Sequence, residues 1–124
     1  MTTISILGTG RAGGALAIAL DRAGIDVEVL IHHKSPAGLL LEKAKQVPLE
    51  SLAEISTEVL IIATPDPKIR PMAEKIAQFS SLPRVALHLS GSLASDELAS
   101  LKMRGRSAGL ITRYECFTIG RVIP

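Results

Sequence analysis

Ile4-Ser5-Ile6-Leu7-Gly8-Thr9-Gly10-Arg11-Ala12-Gly13-Gly14-Ala15-Leu16 decides how the rest of the chain is read. A short β-branched apolar run stops at Gly8-x-Gly10-x-x-Gly13, and a helix-favouring run starts at once. That strand, turn and helix context is what turns a glycine pattern into a nucleotide-site motif. The first glycine permits a turn too tight for a side chain, and the second lets main-chain N–H groups meet a diphosphate. The third lets the helix lie close on the strand. The diphosphate then faces a helix N-terminus, where unpaired N–H groups and the helix dipole favour negative charge. Gly8, Thr9, Gly10, Arg11, Ala12 and Gly13 are therefore the candidate diphosphate site. The competing reading is a glycine-rich turn of an α/β protein that binds nothing.

Working outward, the length of 124 residues suits a single domain. Only 2% of residues are aromatic, so Ala, Leu, Ile and Val must build the core. Fourteen basic residues against 12 acidic ones are too balanced for a nucleic-acid footprint. Charges interrupt every apolar run before it could cross a membrane, and the N-terminus lacks a basic-then-apolar signal pattern. Cys116 is the sole cysteine, which excludes a disulfide within the chain and points to a reducing cytoplasm. Its expected fate is a buried, inert thiol.

The expected strands cover residues 3–7, 27–31, 47–49, 58–63, 84–89 and 107–111. Helices are expected over residues 11–22, closed by Gly24, and over residues 37–45 behind an N-cap at Ser35-Pro36. Ser51-Leu52-Ala53-Glu54 fits a capping box for one further turn. Ile69, Met72, Ala73, Ile76 and Ala77 recur at helical spacing, with the regular helix beginning near Arg70 or Pro71. Ser95 is the expected cap of a last helix ending before Gly105. Strands alternating with helices imply a doubly wound parallel sheet covered on both faces, a single three-layer α/β domain of strand order 3-2-1-4-5-6.

The end of the second strand discriminates between nicotinamide cofactors. NAD enzymes commonly place an acidic residue about 20 positions past the glycines, to accept from the ribose 2′-hydroxyl. Here that count reaches His33 in Ile31-His32-His33-Lys34-Ser35, with no carboxylate nearby. Lys34 offers positive charge, Ser35 a hydroxyl and His33 a further donor, a set suited to the 2′-phosphate of NADP. The competing reading makes them solvated strand-end residues, with Ser35 only a helix cap. His32 and His33 are adjacent, so on a strand they face opposite ways and do not share a metal ion.

Other polar groups cluster after the later strands, at the edge where such sheets bind ligands. Thr64 and Pro65 are expected alongside the cofactor, and Asp66 also suits a helix N-cap ahead of Pro67. In His88-Leu89-Ser90-Gly91-Ser92, a period of two puts His88 and Ser90 on one side of the strand. They are the candidate catalytic residues, and Ser90 is also a candidate cofactor contact; a hydrogen-bonded structural histidine is the alternative.

The glycine segment, Lys34-Ser35, Ala63-Thr64-Pro65-Asp66 and His88-Leu89-Ser90-Gly91-Ser92 together resemble the Rossmann-like oxidoreductases related to pyrroline-5-carboxylate reductase and deazaflavin-dependent NADP reductases. The likeness covers about residues 3–110. It implies an NADP-dependent oxidoreductase whose substrate is held largely by a C-terminal helical domain, often across a homodimer. Residues 1–110 are thus expected to form the NADP-binding domain and 111–124 an atypical tail. Relatives continue with a His-Pro loop and a Phe, whereas this chain has Ile111-Thr112-Arg113-Tyr114-Glu115-Cys116-Phe117 and stops at Pro124. A reading-frame change near Leu110 is one origin, which sequencing the coding DNA tests. Two functions follow as expectations. The first is hydride transfer to or from a small carbonyl or imine, with a second copy or another protein completing the cleft. The other is a dinucleotide-binding or interaction module without turnover.

Overall fold

The computed structural model describes residues 3–8, 11–32, 44–90 and 95–110. Among them, six short strands form one all-parallel sheet. These are β1 (Ile4–Leu7), β2 (Val29–His32), β3 (Lys45–Pro48), β4 (Val59–Ile62), β5 (Val85–His88) and β6 (Ser107–Leu110). The spatial order is β3-β2-β1-β4-β5-β6, the doubly wound order expected. After β3 the chain returns to pair β4 with β1, so the two halves of the sheet diverge from that seam.

Alternate side chains along the strands feed two cores, as a sheet covered on both faces requires. Ile4, Ile6, Leu30, Val59 and Ile61 meet Leu16, Ala17 and Leu20 of α1 (Arg11–Arg22). Val29, Ile31, Leu60, Ile62 and Ala86 lie on the opposite face. There they meet Ile69, Ala73 and Ile76 of α2 (Asp66–Ile76), and Leu101 of the single-turn α3 (Ala99–Lys102). Full burial of one such Leu or Ile stabilises by about 1.5–3 kcal/mol. The helix α1 closes as expected at Gly24, where Gly24 N–H donates to Asp21 O and Ile25 N–H to Leu20 O.

One polar pair interrupts the second core. The hydroxyls of the buried Ser5 and Thr57 are 2.6 Å apart, and Thr57 donates onward to Val59 O at 3.2 Å. With the Thr57 hydrogen committed there, the Ser5 hydroxyl must donate to Thr57.

Several boundaries differ from those expected. Lys45 belongs to β3, where its N–H donates to Glu28 O, so the helix anticipated over residues 37–45 cannot reach it. Residues 37–43 lie outside the described part. Around Ser51 the turn is a 3₁₀ helix over Leu49–Glu54 entered from Pro48, with no side-chain cap bond, so Ser51 is interior and not a cap. The helix α2 begins at Asp66, earlier than Arg70 or Pro71, and Pro65 occupies the N-cap position assigned to Asp66. Pro67 suits the first turn, whose N–H groups have no intrahelical partner. Pro71 sits inside α2 but on its exposed side, where it has no N–H to donate to the carbonyl one turn back. Ser95 opens a 3₁₀ turn (Ser95–Leu98) that runs into α3, in place of one continuous α-helix.

Candidate functional site

β1 ends at the centre of the sheet, flanked by β2 and β4, so the chain leaving it must turn in a crowded corner. Gly8 N–H donates to Ile31 O at 2.8 Å, and Ala63 N–H donates to Leu7 O at 2.7 Å. These bonds pin the start of the turn to both neighbouring strands. Gly8 has φ +104°, a backbone state that strains any residue with a side chain, and a Cβ there would lie 2.8 Å from Ala63 O. Five residues on, a Cβ on Gly13 would lie 1.9 Å from Gly8 O and 3.0 Å from Ala63 Cβ. The first and third glycines therefore interlock, with the first turn of α1 resting on the main chain that it follows.

Ala63 completes this corner and was not singled out as a site residue. It stands one position beyond β4, half-buried, and touches the space that both glycines leave open. Its sequence signals are its place in the Ala63-Thr64-Pro65-Asp66 segment and its small size after the strand that pairs with β1, which say nothing of what it touches until the pairing is known. Beside it, the buried Oγ1 of Thr64 has no hydrogen-bond partner among the described residues. An orphaned hydroxyl is costly to bury, and so marks a place where a polar ligand group would be welcomed. Pro65 follows, exposed, as the N-cap residue of α2.

The remaining candidates divide by position. Arg11 and Ala12 open α1, while Thr9, Gly10, His33, Lys34, Ser35, Gly91 and Ser92 lie outside the described residues, as do residues 111–124 with Cys116. His88 and Ser90 share a face, as the period of two required, and it is the face of Ala86 that looks toward α2 and α3. His88 is 0% and Ser90 6% exposed. Ser90 N–H donates to His88 Nδ1 at 3.1 Å, so that nitrogen carries no hydrogen and a neutral ring holds it on Nε2. Nearby, Arg70 makes a two-pronged ion pair with Glu97 at 3.1 and 3.2 Å, joining α2 to the 3₁₀ turn after β5. That hydrogen bond, with the Glu97 charge, raises the Arg70 pKa above its ordinary value. Among the described residues no group of three His, Cys, Asp or Glu side chains could hold a metal ion, and no helix is long and apolar enough to cross a membrane.

Comparison with known families bears on this glycine corner. The profile of the Rossmann-like domain matches residues 2–110. The chain belongs to the Rossmann-like domain family. This Rossmann-like domain also resembles solved structures. One is prephenate dehydrogenase from A. aeolicus, in complex with hydroxyphenyl propionate and NAD+, at 18% identity and TM-score 0.66 over 83% of this chain and 38% of that one. Another is shikimate dehydrogenase 1 from Peptoclostridium difficile, at 22% identity and TM-score 0.67 over 93% and 43%. A third is a Bacteroides fragilis protein assigned to the NADP oxidoreductases, at 22% identity and TM-score 0.62 over 77% and 38%. At these identities the likeness is one of fold, and the chain spans about two fifths of each structure's length. No curated protein matches the chain.

Proposed function

We propose that the carboxyl edge of this Rossmann-like sheet binds NADP(H). The observation that carries the reading is the interlock of Gly8, Gly13 and Ala63, which keeps side chains out of the corner where α1 begins. Bare main chain at a helix N-terminus is what a diphosphate needs. The Thr64 hydroxyl at the same edge, without a partner among the described residues, supports it.

On this reading Gly8, Thr9, Gly10, Arg11, Ala12 and Gly13 hold the diphosphate, while His33, Lys34 and Ser35 receive the 2′-phosphate. Thr64, Pro65 and Ser90 line the path toward the nicotinamide end. When bound, the cofactor supplies or accepts a hydride, and the reaction class is reduction or oxidation of a small carbonyl or imine. The chain's own residues orient the dinucleotide and exclude water beneath it. His88, fully enclosed and accepting at Nδ1, holds the Ser90 main chain in place. A homodimer is the proposed assembly, and the cytoplasm is the proposed setting.

A second reading is a dinucleotide-binding module without turnover, which the full burial of His88 favours over a role for that imidazole in proton transfer. Titration with NADPH against NADH, followed by an absorbance assay with imines and ketoacids, separates the two. NADPH preference that falls at least tenfold in Lys34→Ala supports the cofactor assignment, and equal binding of both cofactors overturns it. Binding with no turnover on any substrate selects the module.

A further inference from the structure

Every residue of β1 and β4 is buried, but β5 alternates. Ala86, His88 and Ser90 are enclosed on the α2 side of the sheet, whereas Val85, Leu87 and Leu89, on the α1 side, are only half-buried. Among the described residues, cover on the α1 side therefore thins at β5. The neighbouring strand widens the gap. Ser107 pairs with Val85 and Gly109 with Leu87, and Ser107 is exposed while Gly109 contributes no side chain. A Cβ on Gly109 would touch Leu87 Cδ2 at 3.4 Å, so the glycine leaves one flank of Leu87 bare. The result is an apolar trough with Val85, Leu87 and Leu89 as its wall and the Gly109 main chain as its floor. Parallel sheets are ordinarily covered on both faces, and a glycine within a strand marks a place where another segment can come close.

Three longer segments lie outside the described residues, and their tethers separate them. Residues 33–43 join β2 to β3, and β2 stands three strands from β5, roughly 14 Å away. Residues 91–94 are spent in joining β5 to the 3₁₀ turn on the α2 side. Residues 111–124 follow β6 directly, at the end of the trough where Leu89 stands. Each extended residue gains about 3.3–3.6 Å, so a few of them span the roughly 13 Å of a four-residue strand. This segment is also the apolar one. It carries Tyr114 and Phe117, two of the three aromatic residues of the chain, together with Ile111, Ile119, Val122 and Ile123.

We infer that the trough over β5 and Gly109 is the docking site of residues 111–124 of the same molecule, with the Tyr114 and Phe117 rings set against Leu87 and Leu89. A strip three side chains long suits one covalently attached segment, whose effective concentration is high without any second molecule. A partner subunit needs a far broader face, about 800 Å² on each side for a stable complex. The inference does not rest on what binds at the glycine corner.

The test uses the full chain with 13C-labelled leucine methyls. Nuclear Overhauser contacts run from the Leu87 methyls to the ring protons of Tyr114 or Phe117 and keep their strength on dilution. Phe79, whose ring belongs to the opposite core, gives none. A soluble paramagnetic probe leaves the Leu87 methyls sharp in the parent and broadens them in the double variant Tyr114→Ser/Phe117→Ser. The methyls of Leu101, fully buried under α2, stay sharp in both and report that the variant is folded. Should Leu101 broaden too, the contacts seen in the parent decide alone. Three results overturn the inference. Leu87 contacts seen only between differently labelled molecules give the trough to a second copy, contacts to residues 33–43 give it to that segment, and broadening of Leu87 in the parent leaves it bare.

Discussion

Replacing Gly13 by alanine tests the corner on which the cofactor reading rests. Two effects oppose each other. In a helix interior alanine is favoured over glycine by about 1 kcal/mol, so propensity alone predicts a more stable protein. Against it, the new methyl would sit 1.9 Å from Gly8 O, well inside the roughly 3.3 Å at which a methyl carbon and a carbonyl oxygen come to rest. The helix α1 must lift by more than 1 Å, although its inner face is fixed by Leu16, Ala17 and Leu20. Forcing one extra carbon into a packed contact costs about 1–3 kcal/mol, and here the neighbour is main chain that cannot rotate away. With the steric cost at the upper end of that range and about 1 kcal/mol returned by helix preference, we expect a net loss of about 2 kcal/mol, lowering the melting temperature by roughly 6–10 °C for a domain of this size. Urea denaturation with an unchanged slope gives the free energy directly. NADPH affinity falls with it, since the lifted helix carries the diphosphate N–H groups away. A Gly13→Ala protein as stable as the parent would refute the interlock.

Ala63→Val extends branched methyls from a Cβ that stands 3.0 Å from where a Gly13 Cβ would lie; we expect about 1–3 kcal/mol of destabilisation by thermal unfolding, against near-neutrality if Ala63 has room. Thr57→Val strips the acceptor from the buried Ser5 hydroxyl at a cost of about 1–3 kcal/mol, and adding Ser5→Ala recovers most of it, read as the coupling energy of a double-mutant cycle. His88→Phe leaves Ser90 N–H without its Nδ1 acceptor and costs about 1–3 kcal/mol; faster exchange of the Ser90 amide is the confirming measurement, and an unchanged rate would show that the bond is dispensable.

Much of the architecture was legible because its causes are local. The β1 run ends in glycines and a helix follows; the apolar run of β4 is long enough to read as a buried strand; Ile69, Ala73 and Ile76 mark one face of α2 wherever that helix starts. Less legible were features whose cause lies across the fold. Lys45 and Gln46 carry no strand signal, yet they pair with Val29 and Leu30 because β3 is an edge strand and its outer side needs no apolar partner. Asp66 and Pro67 looked like a cap and the residue after it, but the chain leaving β4 was already positioned to begin the helix one residue sooner. Ser95, the expected cap, is instead the first residue of a 3₁₀ turn that leads into the single-turn α3.

By itself the sequence determined the class of fold, the strand order and the place where the glycines end β1. Glycine spacing, apolar runs and right-handed crossovers are properties of neighbouring residues that act the same in any context. The tertiary structure decided what those elements meet. That a Cβ on Gly13 would meet Ala63, that the buried Thr64 hydroxyl has no partner among the described residues, and that Glu58 stands within 3.9 Å of Arg84 all depend on strands distant in sequence lying side by side. Strand pairing creates those distances, and no local preference encodes them.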